Sequence, residues 1–164
     1  MPKLSQFAKI IDLDAGFGVA GHSMGGQASL FSASYANASD VGIKASVLMH
    51  PYSHEIPSTR IPTLGFTGSF DATAHAAWAK EMFEAGDPLV TNGYANLEGE
   101  THSGCLATSS KISLFTAAWL KLFVAEIKEE GGINFEELIF GQDKDSLCGG
   151  GYGDMSECKL NDRR

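Results

Sequence analysis

Short apolar runs alternate along the chain with longer segments in which apolar side chains recur every three or four residues. Residues 17–21 (F-G-V-A-G), 44–49 (K-A-S-V-L-M), 61–67 (I-P-T-L-G-F-T) and 93–97 (G-Y-A-N-L) have the length and composition of buried strands. Each run stops at a turn signal, such as His50-Pro51 or Gly68-Ser69-Phe70-Asp71. The segments between them have helical spacing. Residues 27–35 predict a helix of small side chains, 71–86 a helix with Ala74, Trp78, Met82 and Phe83 on one face, and 111–130 a long amphipathic helix. The stripe of that last helix is Ile112, Phe115, Trp119, Leu122, Phe123 and Ile127. Leu4, Phe7, Ile10 and Ile11 predict a further helix over 3–11, ending near Gly16. Strand and helix in alternation predict an α/β fold, with a mostly parallel sheet of about four strands flanked by helices.

Composition narrows the function classes. The chain has 164 residues, 43% of them apolar, and a net charge of −8, so long-range electrostatics oppose nucleic acid and anionic membranes as partners. The charge is uneven: residues 126–164 carry ten acids against five bases. The stretch 131–164 therefore reads as an acidic, Gly-rich tail beside a domain over 1–130. No apolar run approaches the roughly 20 residues of a membrane span, and the first residues lack the apolar core of a signal peptide. Cys148 and Cys158 bracket a glycine-rich loop that can close as a disulfide or carry two free thiols, and Cys105 is left over.

The chemistry concentrates at the ends of the strands. G-H-S-M-G-G, residues 21–26, fits the G-x-S-x-G corner in which a serine sits between a strand and a helix, with Gly21 and Gly25 leaving room for the turn. A serine there is lifted above the sheet, and the N–H of Met24, at the helix start, faces a developing oxyanion. A serine needs a base, and the base an acid to orient it. Asp71 follows the 61–67 strand and His102 the 93–97 strand, giving the chain order Ser23, Asp71, His102. In this arrangement His102 takes the serine proton while Asp71 fixes the imidazole tautomer. His22 lies inside the corner and reads as a packing residue, and His75 as a solvated helix residue. His50, His54 and Glu55 contain zinc-ligand types, but Pro51 prevents one continuous helix from presenting both histidines, so no metal is expected. Tyr52, just after a strand, reads either as an aromatic wall for substrate or as a packing residue.

These residues resemble the α/β-hydrolases, and within them the cutinase-like polyester hydrolases and their dienelactone-hydrolase-type relatives. The resemblance rests on V-A-G-H-S-M-G-G around Ser23, I-P-T-L-G-F-T-G-S-F-D ending at Asp71, L-E-G-E-T-H-S-G-C around His102 and T-A-A-W-L-K-L-F after it, over roughly residues 15–125. It implies a serine ester hydrolase working through an acyl-enzyme, with no cofactor and an ester as substrate. It further implies that Tyr52 stacks on the acyl group, that Cys148 pairs with Cys158, and that the protein works outside the cell. Family members carry a half-domain before the serine corner, which supplies a second oxyanion donor, whereas Ser23 here stands close to the first residue. The resemblance thus implies the C-terminal half of an α/β-hydrolase, with residues 1–130 as a partial catalytic domain. Its first strand would have a bare edge open to self-association. One missing oxyanion donor would lower the rate by about 10²–10³-fold. The alternative reading is a catalytically impaired or non-catalytic module that needs a partner half.

Overall fold

The computed structural model describes residues 15–104, 110–150 and 155–163; the helix predicted over 3–11 and Cys105 lie outside them. Four strands, β1 (Phe17–His22), β2 (Ile43–Met49), β3 (Thr63–Gly68) and β4 (Asn92–Leu97), lie side by side in sequence order, all parallel. Helix α1 (Met24–Ser34) connects β1 to β2, α2 (Ala76–Glu84) connects β3 to β4, and α3 (Ser110–Phe123) follows β4. A hairpin of two short strands, β5 (Glu129–Glu130) and β6 (Ile133–Asn134), leads into α4 (Phe135–Phe140), and β7 (Met155–Asn161) returns antiparallel beside β4. The expected mostly parallel sheet with flanking helices is present, and β7 makes it five-stranded.

Both faces of the sheet are covered, which is why β2 and β3 are buried along nearly their whole length. Alternate residues of β2 serve opposite layers. Ala45 and Val47 pack with Ile112, Phe115 and Trp119 of α3, while Leu48 packs with Leu30 of α1 and Met82 of α2. Trp119 is fully buried, an apolar contribution of about 2–3 kcal/mol, and its indole N–H donates to the Pro62 carbonyl at 3.4 Å.

Helix α3 stops at Phe123, several residues short of the stripe predicted to reach 130. The amides of Val124 and Ala125 both converge on the Leu120 carbonyl, and Glu126 takes a left-handed φ of 58°, which turns the chain out of the helix. Ile127 still packs on the core from outside the helix. Gly131 and Gly132, with φ of 59° and 80°, then make the hairpin turn between β5 and β6.

The acidic segment that follows adds to the same layers. Asn134 caps α4 by accepting from the Glu137 amide at 3.0 Å, and Phe135 and Ile139 bury themselves in the cluster around Trp119. On β7, Glu157 pairs with Lys80 of α2 at 2.9 Å, and Lys159 with Glu84 at 3.6 Å. Charges of this kind suit an edge strand. At the opposite edge β1 pairs only with β2 among the described residues, and Phe17 is 49% exposed. Among the described residues no helix is long and apolar enough to cross a membrane.

Cys148, in the loop after α4, is joined by a disulfide to Cys158 on β7, across a sequence separation of 10. By the chain-entropy relation a loop of this size stabilises the fold by about 2.5 kcal/mol. Replacing Cys158 with Ser is expected to lower the urea midpoint correspondingly, without changing the far-UV spectrum. An unchanged midpoint would show that pairing with β4 holds β7 unaided.

Candidate active site

Parallel strands place all their carboxyl ends at one edge of the sheet, the usual position of sites in such folds. Pairing keeps those ends level: His22 lies opposite Met49, Met49 opposite Phe66, and Gly68 opposite Leu97. Four successive loops therefore project from one rim. They carry Ser23 after β1, His50 after β2, Asp71 after β3 and His102 after β4.

Ser23 has φ 57° and ψ −119°, a strained conformation for a non-glycine residue. Its surroundings fix it there. The Ser23 N–H donates to the Met49 carbonyl at 3.0 Å, and its own carbonyl accepts from the amides of Gln27 at 3.0 Å and Tyr52 at 3.1 Å. A β-carbon at Gly21 would run into the Gly25 carbonyl, and one at Gly26 would press on Pro51. At Gly25 itself a β-carbon would meet nothing. The crowded positions are thus Gly21 and Gly26, not the expected pair of Gly21 and Gly25. The turn brings the Gly25 backbone to Gly21 while the Gly25 side-chain direction points into open space. Met24 opens α1, so its N–H lies in the first helical turn, where the helix supplies no carbonyl partner.

The loops bearing Asp71 and His102 are laced together. Ser69 donates to Leu97 at 2.9 Å, Phe70 to Glu100 at 3.0 Å, and Gly99 to the Ser69 hydroxyl at 2.8 Å. The result is a continuous chain of hydrogen bonds. His102 Nδ1–H donates to Asp71 Oδ2 at 2.9 Å, and its Nε2 lies 2.9 Å from Ser23 Oγ. Because an ionised carboxylate only accepts, Nδ1 carries the proton, and the Nε2 lone pair is left to receive the serine hydroxyl. Asp71 Oδ1 accepts from the amides of Thr73 and Ala74 at 2.9 and 2.7 Å. Burial pushes the Asp71 carboxyl up. The Ala74 amide, the two imidazoles of His102 and His50 and the Thr73 amide outweigh burial and hold it below its ordinary value of 3.8.

Two features of this edge are not evident from the linear pattern. His50 is fully buried, and its Nδ1 donates to the same Asp71 Oδ2 at 2.9 Å, 21 residues away in sequence. Burial drives its pKa below the ordinary value of 6.5 against the pull of Asp71, which favours the neutral imidazole. Trp78, placed by periodicity on the core stripe of α2, is half-buried. It meets Tyr52 edge-on at 5.4 Å, His54 at 4.9 Å and His75 at 5.7 Å. His75 itself precedes α2 as its N-cap rather than lying within it. His22 donates from Nε2 to the His102 carbonyl at 2.7 Å, tying the β1 corner to the β4 loop. A position immediately after a strand, shared with Ser23, is the signal in the sequence that would have singled out His50.

His54 stacks on Tyr52 and Trp78, apart from the His50–Asp71 bond. His50, Asp71 and His102 do each offer one ligand atom within 4.8 Å of the others, a spacing a metal ion accepts. Each imidazole, however, already presents its N–H to the carboxylate. What the arrangement can do without a metal is move a proton from Ser23 to His102 beside a fixed negative charge.

Residues 3–131 match the family model described as PETase: PET hydrolase-like. Among curated proteins, the chain is similar to cutinase est2 of Thermobifida alba, 33% identical over 112 residues, which is 66% of this chain and 36% of that protein. It is also similar to the bis(hydroxyethyl) terephthalate hydrolase of Streptomyces coelicolor, 31% identical over 116 residues (68% and 36%), and to a cutinase of Thermobifida fusca, 31% identical over 109 residues (65% and 35%). The chain spans just over a third of the length of these relatives.

Gly21→Ala is expected to destabilise the fold by about 1–3 kcal/mol through overpacking, while Gly25→Ala stays within about 0.5 kcal/mol, both read by urea denaturation. Equal losses would mean that the crowding at Gly21 is relieved elsewhere. Stability should also depend on pH. The unfolded chain protonates His50 near 6.5, whereas the folded chain resists until lower pH, so stability is full above about 6.5 and falls as pH drops below it. The depressed Asp71 adds a second loss, beginning below about 3.8. Urea midpoints should therefore decline from neutral pH to pH 5, and less so in His50→Asn. Equal declines would remove His50 from the account.

Proposed function

The chain belongs to the PET hydrolase-like family, and from that premise we propose that it is a serine hydrolase of carboxylic esters, with Ser23 as nucleophile, His102 as base and Asp71 as the orienting acid. The observation that carries the proposal is the unbroken hydrogen-bond chain from Ser23 Oγ through both nitrogens of His102 to a carboxylate held ionised. The substrate class follows the terephthalate ester in the name of the Streptomyces relative and the cutinase names of the Thermobifida ones.

In this mechanism Ser23 Oγ attacks the ester carbonyl carbon as its proton passes to His102 Nε2. Negative charge gathers on the carbonyl oxygen, and the N–H of Met24, at the start of α1, donates to it. His102 then gives its proton to the leaving alkoxide, and the acyl group remains on Ser23. Water enters, His102 takes a proton from it, and attack on the acyl carbonyl releases the acid and restores Ser23. Tyr52 forms the wall beside the acyl group. In support, its amide bonds to the Ser23 carbonyl and its ring is braced edge-on by Trp78.

A fluorophosphonate probe is expected to label Ser23 of the full chain, as read by intact mass and peptide mapping. Ser23→Ala should not label, and Asp71→Asn should lose about 10⁴-fold in p-nitrophenyl ester turnover. A native chain that is folded yet never labels would sink the proposal. Labelling without turnover would favour the second reading, a chain whose triad works slowly because Met24 alone serves the oxyanion among the described residues.

A further inference from the structure

His50 is not needed for a serine, a base and an acid, yet it is built into their contact. Its side chain is completely buried and its Nδ1 lies 2.9 Å from Asp71 Oδ2, the oxygen that also receives His102. Its Nε2 meets no hydrogen-bond partner among the described residues, so Asp71 accounts for the side chain's polar contacts. Its backbone is strained, with φ 45° at a residue immediately before proline, a conformation that a bulky side chain avoids. The strand end holds it there: the His50 N–H donates to the Phe66 carbonyl at 2.8 Å. A strained backbone, a buried imidazole and a single partner in the triad together point past core packing.

We propose that His50 is a positioning residue for the hydrolase reaction, its Nδ1–H gripping the shared Asp71 oxygen so that the carboxylate keeps one orientation and divides its charge between two imidazoles. This rests on the hydrolase reading given above. The two backbone amides hold Oδ1, and His50 gives Oδ2 an anchor that stays in place while His102 moves its proton. Division of the charge also has a chemical effect. A carboxylate already accepting from His50 has less charge to offer the imidazolium that forms on His102. His50 itself stays neutral through the cycle, since protonation would place an N–H on a buried Nε2 that meets no acceptor among the described residues. The other titratable groups facing His50 are His22 at the end of β1 and His102 itself, whose ring centroids each lie 6.0 Å from its own.

The test compares the native full chain with His50→Leu, His50→Asn and His50→Gln by the rate of fluorophosphonate labelling of Ser23 across pH. Asn suits the left-handed backbone and sets its amide nitrogen where Nδ1 stands; Gln carries the same group one carbon too far. His50→Asn should keep the native pH profile. His50→Leu and His50→Gln should move the acid limb up by about 0.5–1 pH unit and lower the plateau rate about tenfold. A folded His50→Leu with the native acid limb would overturn the proposal. Should His50→Leu fail to fold, Asn and Gln variants with the same profile would overturn it equally. A native chain that never labels removes the hydrolase reading, and this inference with it; a native chain that labels, with variants that match it, removes the role of His50 alone.

Discussion

A carboxylate taken out of water must be met by donors on every side, and at the rim of this sheet that carboxylate belongs to Asp71. It is 5% exposed, and its four hydrogen bonds come from two amides of its own loop and from imidazoles carried by the loops after β2 and β4. An unpaired buried charge would destabilise the fold by several kcal/mol, so each of these loops is held by the need to keep its donor in place. The serine corner joins this set through His102 and through the Tyr52 amide. The loops after β2, β3 and β4 are thereby locked to one carboxylate.

The strain stored at Ser23 and His50 is compensated by the same geometry. Both residues follow a strand directly, both take positive φ, and both have their amide bonded to the next strand, Ser23 to Met49 and His50 to Phe66. Each strained residue is thus gripped by its neighbour in the sheet. The strain turns the His50 side chain up from the rim toward Asp71 and that of Ser23 toward His102, where a relaxed extended residue would continue the strand and point to one face or the other.

Much of this was legible in the amino-acid sequence, for reasons that also explain what was not. Strands β2 to β4 are legible because they are buried between two helical layers, β1 because Phe17, Val19 and Ala20 keep it apolar although it is exposed or half-buried at the edge, and each ends in a turn signal. Ser23, Asp71 and His102 stand out because each is a chemically capable residue immediately beyond such a run. His50 occupies the same kind of position, but linear spacing sets it beside His54 and Glu55, whereas its partner Asp71 is brought to it only by the pairing of β2 with β3. Strand β7 is hidden for a different reason. Among the described residues M-S-E-C-K-L-N pairs on one side only, and it turns Glu157 and Lys159 toward charges on α2, so it shows no apolar alternation. The end of α3 escapes the periodicity because Ile127 reaches the core by a turn as readily as by another helical step.

The level strand ends have a consequence for how such a chain can change over generations. What fixes the distance from Ser23 to His102 is the register of neighbouring strands, Gly21 with Leu48, Met49 with Phe66, Gly68 with Leu97, and none of the helical crossovers enters that sum. Insertions and deletions in the crossovers can therefore accumulate as neutral variation on the outer layers. A one-residue slip within a strand, by contrast, would move one member of the constellation by about 3.3 Å and turn it to the opposite face. Lineages of this fold are thus free to diversify in their connections while the residues just past each strand remain tied to one another.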